Sequence, residues 1–255
     1  RYYSRTKKTR ALDMVTKTLT KMARGGLNDQ LAGGFHRYSV DQHWQVPHFE
    51  KMLYDNALLP LVYLEAWQAT KNSFFTDVAK QTLDWTLSEM RNKKGGFYSA
   101  QDAESDGKEG TYYVWTKDEV VQILDQRNAE IFSKHYGVSE EGNFEKNNNI
   151  LHITNEPQKI ASEMGTSEDD VKQALKQAKK TMLKHRDSRT KPATDDKVLT
   201  SWNGLMISAL AKAYQVLEDE RYLRAAERSA NFILNNLLNG EELFRRWRDG
   251  EAAVD

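Results

Sequence analysis

Two stretches of this sequence are apolar around the whole circumference of a helix, and they constrain the fold more than any other feature. Across 52–70 the residues Leu53, Ala57, Leu58, Leu59, Leu61, Val62, Leu64, Ala66 and Trp67 leave almost no polar face, and 205–217 is nearly as apolar. A helix of that kind is expected to be buried on all sides. An amphipathic helix follows each one. In 77–90, Val78, Leu83, Leu87 and Met90 face in while Lys80, Gln81, Asp84 and Ser88 face out; 222–237 repeats the pattern. The two pairs are copies of one unit. Residues 56–90 superpose without gaps on 203–237, matching Ala66 with Ala213, Trp67 with Tyr214 and Leu87 with Leu234, and Gly95-Gly96-Phe97 echoes Gly33-Gly34-Phe35. Such repeats are stacked units that cannot bury their own faces alone. The alternation predicts an all-α, two-layer ring of helical hairpins, an inner wall covered by outer helices. An irregular bundle and an open α-solenoid are the competing architectures.

The remaining segments are read the same way. Leu12, Val15, Leu19 and Met22 form one stripe of a helix that Gly25-Gly26 ends. Pro60 removes a backbone donor inside an apolar helix, so a kink or a start near Ala57 is expected there. Phe97-Tyr98 and 111–115 suggest a small hairpin around an acidic loop. Thr116 to Glu119 is a capping box opening a short helix. Further helices are expected over 128–136 and 167–186, with irregular chain over 138–157, a short piece at 150–153 and a strand at 243–247. The opening RYYSRTKKTR is basic and reads as a frayed lead-in, or as the point where a longer protein was cut.

Composition removes several classes. The 255 residues carry 37 basic and 37 acidic side chains, so nothing in bulk charge favours nucleic acid or an anionic membrane. There is no cysteine, which excludes disulfides, thiolate metal sites and thiol redox chemistry in this chain. No apolar run reaches the ~20 residues of a membrane span, and no signal peptide is legible. The default expectation is a cytoplasmic protein with no cofactor. Asp102 to Gly107 imitates a calcium loop only in part, no metal-binding histidine spacing occurs, and the glycine pairs are not phosphate loops.

Chemistry concentrates in the loop 33–56, GGFHRYSVDQHWQVPHFEKMLYDN, which holds three of the six histidines. This string, with GGFYSAQDAES, YYVWTKDEV and DDKVLTSWNGLM further on, resembles the DUF255 or YyaL-like proteins, a family related to spermatogenesis-associated protein 20. The resemblance runs from about Ala11 to the C-terminus. It implies a helical part similar to N-acylglucosamine 2-epimerases and six-hairpin glycosidases, usually preceded by a thioredoxin-like domain, which is expected to be absent from this chain. The expected fold is therefore an (α/α) toroid with short β-hairpins in its loops, incomplete at this length and amounting to some four hairpins. Self-association or further chain would complete it.

In such a ring the loops leading to the inner helices meet at one mouth. Here they are 33–55, 95–115 and 191–203. Aromatic rings beside carboxylates and amides suit a carbohydrate, which has an apolar face and a hydroxyl rim. The resemblance to sugar epimerases implies proton transfer by His36 and His48, with Asp41 and Glu50 in the catalytic group. Arg37, Tyr38 and Asp41 would position the ligand, and Trp44 and Trp202 would stack on it. Asp55, Asn56, Gln101, Asp102, Glu104, Asp195, Asp196 and Asn203 complete the candidate lining. A glycosidase using two of the carboxylates and a binding module without turnover stay open. The plainer reading of the histidines is that they hold loop carbonyls, and of the acids that they cap and pair. Asn56 and Asn203 share one repeat position, which points to loop anchoring.

Overall fold

The computed structural model describes residues 2–253; Arg1, at the head of the basic lead-in, lies outside them. The helices are α1 (Tyr2–Thr6), α2 (Thr9–Arg24), α3 (Leu53–Thr70), α4 (Ser73–Glu89), α5 (Lys117–Ile123), α6 (Gln126–Tyr136), α7 (Pro157–Met164), α8 (Glu168–Arg186), α9 (Thr200–Leu217) and α10 (Glu220–Asn236). The strands are two or three residues long: β1 (Tyr38–Ser39), β2 (Pro47–His48), β3 (Lys51–Met52), β4 (Ala100–Gln101), β5 (Glu104–Ser105), β6 (Lys108–Glu109), β7 (Thr194–Asp195), β8 (Val198–Leu199), β9 (Leu238–Asn239), β10 (Glu242–Leu243), β11 (Arg246–Arg248) and β12 (Glu251–Ala253). No helix among the described residues is long and apolar enough to cross a membrane.

The repeat survives into backbone detail. α3 ends at Lys71 and α9 at Glu218, each in the left-handed conformation at φ near 60°. The next residue caps the following helix: the Asn72 side chain accepts from Phe74 N, and that of Asp219 from Arg221 N. A left-handed residue satisfies the last carbonyls of one helix, and a short polar side chain satisfies the first amides of the next. Two antiparallel hairpins result, α3/α4 and α9/α10. The inner helices α3 and α9 lie side by side, and one core runs through both hairpins, including Leu53, Tyr63, Leu64, Leu83, Met206, Leu210 and Tyr222. The Tyr63 hydroxyl donates to Leu19 O of α2 at 2.8 Å, and the Tyr222 hydroxyl to Asp84 of α4 at 3.0 Å. These bonds tie the α3/α4 hairpin to α2 and the α9/α10 hairpin to α4.

The architecture is an incomplete (α/α) toroid of helical hairpins. It holds two complete hairpins, preceded by α2, rather than four. The difference lies in the chain between α4 and α9. Helices α5 to α8 build a separate lobe whose core includes Trp115, Ile131, Phe132, Ile160, Val171 and Met182. The helix α7 falls next to a stretch read as irregular; its cue is Pro157 at the first turn, where a missing N–H costs nothing.

Three further expectations are corrected. α3 is not buried all round: Leu58 is 44% exposed and Val62 40%, because α9 covers one flank and, among the described residues, no inner helix covers the other. α3 starts at Leu53, not near Ala57, and includes the buried Pro60 between the buried Ala57 and Leu64. The hairpin of the acidic loop is β5–β6, pairing Glu104 with Glu109, not Phe97-Tyr98 with 111–115. Those flanks bridge elsewhere, Phe97 to Arg91 and Trp115 to Asn149.

Candidate active site at the mouth of the ring

The loops are held in place by the repeated asparagine. Asn56 is fully buried, its Oδ1 accepts from Phe35 N at 2.7 Å, and its Nδ2 donates to Phe35 O and Met52 O at 2.9 Å. Asn203 does the same one repeat later, accepting from Phe97 N at 2.8 Å and donating to Phe97 O and Leu199 O at 3.0 Å. The glycines before each phenylalanine let the loop touch the outer helix. A Cβ on Gly34 would sit 2.5 Å from the Trp85 ring, and one on Gly96 2.9 Å from Phe232. Both asparagines, candidates for ligand contact, are therefore structural.

A three-stranded sheet then joins the three loops. β4 pairs with β3 on one side (Lys51 with Gln101, Met52 with Ala100) and with β7 on the other (Ala100 with Asp195, Gln101 with Thr194). Residues from all three loops thus meet at the N-terminal ends of α3 and α9. Arg37 donates to Glu50 at 2.9 Å and to the Tyr54 hydroxyl at 3.1 Å. Tyr54 meets Trp202 edge to face at 4.9 Å between centroids, joining the two inner helices. His48 Nδ1 lies 2.8 Å from Glu109 and its Nε2 3.6 Å from Glu50, while Tyr38 stacks on its ring. Asp195 pairs with Lys197 and Asp196 with Arg248, each at 2.7 Å.

Asp55 stands apart electrostatically. Burial pushes its carboxyl up to about 7; Arg37 pulls it down, Glu50 pushes it up again and Tyr54 lowers it. Its Oδ2 is buried and has no hydrogen-bond partner. A half-buried carboxyl with an idle oxygen, neutral for part of its time near pH 7, can give a proton as well as take one.

Several expected site residues lie elsewhere. His36 is 2% exposed, its Nδ1 faces Phe49 O at 2.8 Å, and it packs edge-on against Phe49 and Tyr113. Burial, with Lys51 nearby, pushes it down to about 3; it is a neutral core residue and cannot serve as the second acid or base. Asp41 accepts from the backbone N of His43, Gln45 and Val46, so its carboxylate holds its own turn. Trp44 packs on the main core, and its carbonyl accepts from Leu27 N beside the end of α2. Asp102 is exposed and accepts from Glu104 N within their own loop, and Glu104 is exposed in β5. Gln101 is buried and lines a cavity behind the sheet.

That cavity contains what sequence reasoning missed. Asp29 bonds Lys51 Nζ at 2.9 Å and Arg186 at 2.8 Å, with all three side chains at most 3% exposed. Burial alone would raise Asp29, but Arg186 and Lys51 hold it well below the usual carboxylate range; burial drives Lys51 down to about 8. Both cations were detectable. Lys51 falls between Phe49 and Leu53 on an inward-facing alternation, and Arg186 continues the Val171, Leu175, Ala178, Met182 stripe of α8. A charge on an apolar stripe signals a buried partner.

Comparison with known proteins matches this geometry to the toroid class. No family model matches the chain. Human spermatogenesis-associated protein 20 is 37% identical over 254 residues, covering 90% of this chain and 32% of that protein. An uncharacterized protein of Caenorhabditis elegans is 34% identical over 257 residues, covering 91% and 35%. The chain thus spans about a third of the length of the curated relatives it matches. Among solved structures, an unsaturated glucuronyl hydrolase specific for heparin superposes with a TM-score of 0.50 at 11% identity, over 96% of this chain and 44% of that one. That likeness is one of fold.

Proposed function

We propose that the mouth binds a carbohydrate and acts on it as a glycoside-cleaving site, with Asp55 as the proton donor. The observation that carries the proposal is Asp55 itself: a half-buried carboxyl at the start of an inner helix, raised to about 7, with one oxygen unpartnered. Asp55 protonates the departing glycosidic oxygen as the C–O bond breaks. Glu50, ion-paired to Arg37, takes the proton of the water that attacks the sugar carbon. Tyr54 and Trp202 supply the apolar wall for a sugar face. The fold shared with a heparin-specific glucuronyl hydrolase supports this reading as architecture only.

A second reading rests on His48, bracketed by Glu109 and Glu50. A histidine between two carboxylates is suited to moving a proton beside a sugar carbonyl, the epimerase chemistry, with Asp55 in place of His36 as its counterpart.

One experiment separates them. The chain is incubated with chromogenic glycosides, hexuronides included, and separately with free hexoses and N-acyl hexosamines in heavy water. Hydrolysis that falls as pH rises through about 7 and drops roughly 100-fold or more in Asp55→Asn supports the first reading. Deuterium uptake at C2, abolished in His48→Gln, supports the second. Neither activity with any sugar leaves a binding module and defeats both.

A further inference from the structure

We propose that the cavity behind the β3–β4–β7 sheet is a second binding site, specific for a small monocarboxylate and distinct from the mouth. The alternation along 49–53 turns Lys51 away from Glu50, and Lys51 and Gln101, paired in register, both line this cavity. Its volume is about 240 Å³, and it lies between the ring (Trp85, Ser88, Glu89 of α4) and the lobe (Leu183, Arg186 of α8).

The charge count selects the ligand. At the cavity floor two cations, Lys51 and Arg186, share one carboxylate, Asp29. The other titratable groups packed there, His36, Tyr112 and Tyr113, add no negative charge in their neutral forms, and Lys179 nearby is a further cation. A buried cluster with excess positive charge is incomplete, because a charge removed from water needs a counter-charge. Arg186 has, besides the Nη1 that bonds Asp29, a buried Nε with no partner. A carboxylate is the anion whose two oxygens match a guanidinium edge.

The rim argues against a multiply charged anion such as phosphate. Asp84, Glu89 and Asp187 line the opening, with Lys191 already paired to Glu89 at 3.1 Å. Those acids suit a hydroxyl or ammonium group at the outer end of the ligand, while Trp85, Tyr112 and Tyr113 supply its walls. A neighbouring void of about 20 Å³, lined by Asn28, Gln30, His36 and Arg186, has room for one water only.

The test reads the Arg186 side chain directly. In chain labelled with ¹⁵N, its Nε–H resonance is assigned by its disappearance in Arg186→Lys. Lactate and glycine are then titrated against chloride at equal ionic strength, with inorganic phosphate as a third arm. A saturable shift with lactate or glycine, about tenfold or more weaker in Ala32→Phe, supports the site; that substitution fills the cavity and keeps the backbone N–H that donates to Asp29 Oδ1 at 3.2 Å. If Ala32→Phe does not fold, Gln101→Leu gives the same reading. A shift that chloride reproduces, a resonance whose only contact is water, or tighter binding of phosphate than of either carboxylate each overturns the proposal.

Discussion

Replacing Asn56 with alanine tests the repeat at its joint. The side chain is fully buried and makes three hydrogen bonds, two of them to the backbone of Phe35. Truncation leaves the Phe35 N–H and C=O facing a gap that the loop cannot easily close. Each orphaned buried group costs about 1–3 kcal/mol, so the expected loss is about 3–5 kcal/mol, a large share of the ~5–15 kcal/mol of a typical domain. With a urea dependence of about 2–3 kcal/mol/M, the midpoint followed by tryptophan fluorescence falls by roughly 1–2 M. Asn203→Ala falls by a similar amount, because its bonds to Phe97 and Leu199 are the same three. Asn56→Asp gives no rescue, since a carboxylate oxygen would then face the carbonyls of Phe35 and Met52. A loss below about 1 kcal/mol in either alanine variant would refute the anchoring argument.

Other consequences are as direct. His36 has a folded value of about 3 against an ordinary 6.5, so the unfolded chain binds the extra proton between those limits and stability rises with pH across that window. Acidifying from pH 7 to 5 removes about 2 kcal/mol through this group, and His36→Phe flattens that part of a urea-midpoint profile; an unchanged slope rejects the buried neutral imidazole. Gly34→Ala, at φ 78° with Trp85 against the new methyl, lowers the melting temperature. Gly204→Ala, in open space inside α9, stabilises by about 0.5–1 kcal/mol; equal effects would contradict the packing described.

The ring was legible because its signals are local and doubled. Helical period, the 56–90 and 203–237 copies and the Gly-Gly-Phe turns all encode one unit, and the asparagine's role followed from its repeated position. The lobe was less legible as a unit, since nothing in α5 to α8 repeats and its helices are short. The mouth was half legible. Composition located the loops, but residue type could not distinguish His48, at the surface of the mouth, from His36, behind Phe49. Asp41 and Asp55 look alike in sequence, yet one is consumed by three backbone amides and the other keeps an idle oxygen. That distinction depends on tertiary neighbours that no spacing encodes.

The same joint is closed over very different lengths of chain. Phe35 and Asn56 are 21 residues apart, whereas Phe97 and Asn203 are 106 apart, with the whole lobe between them. Closing the longer span costs about 1.4 kcal/mol more in chain entropy. The α3/α4 unit should therefore assemble first and act as the template on which α9 docks. Pulsed hydrogen exchange during refolding would then find the Phe35 amide protected before that of Phe97.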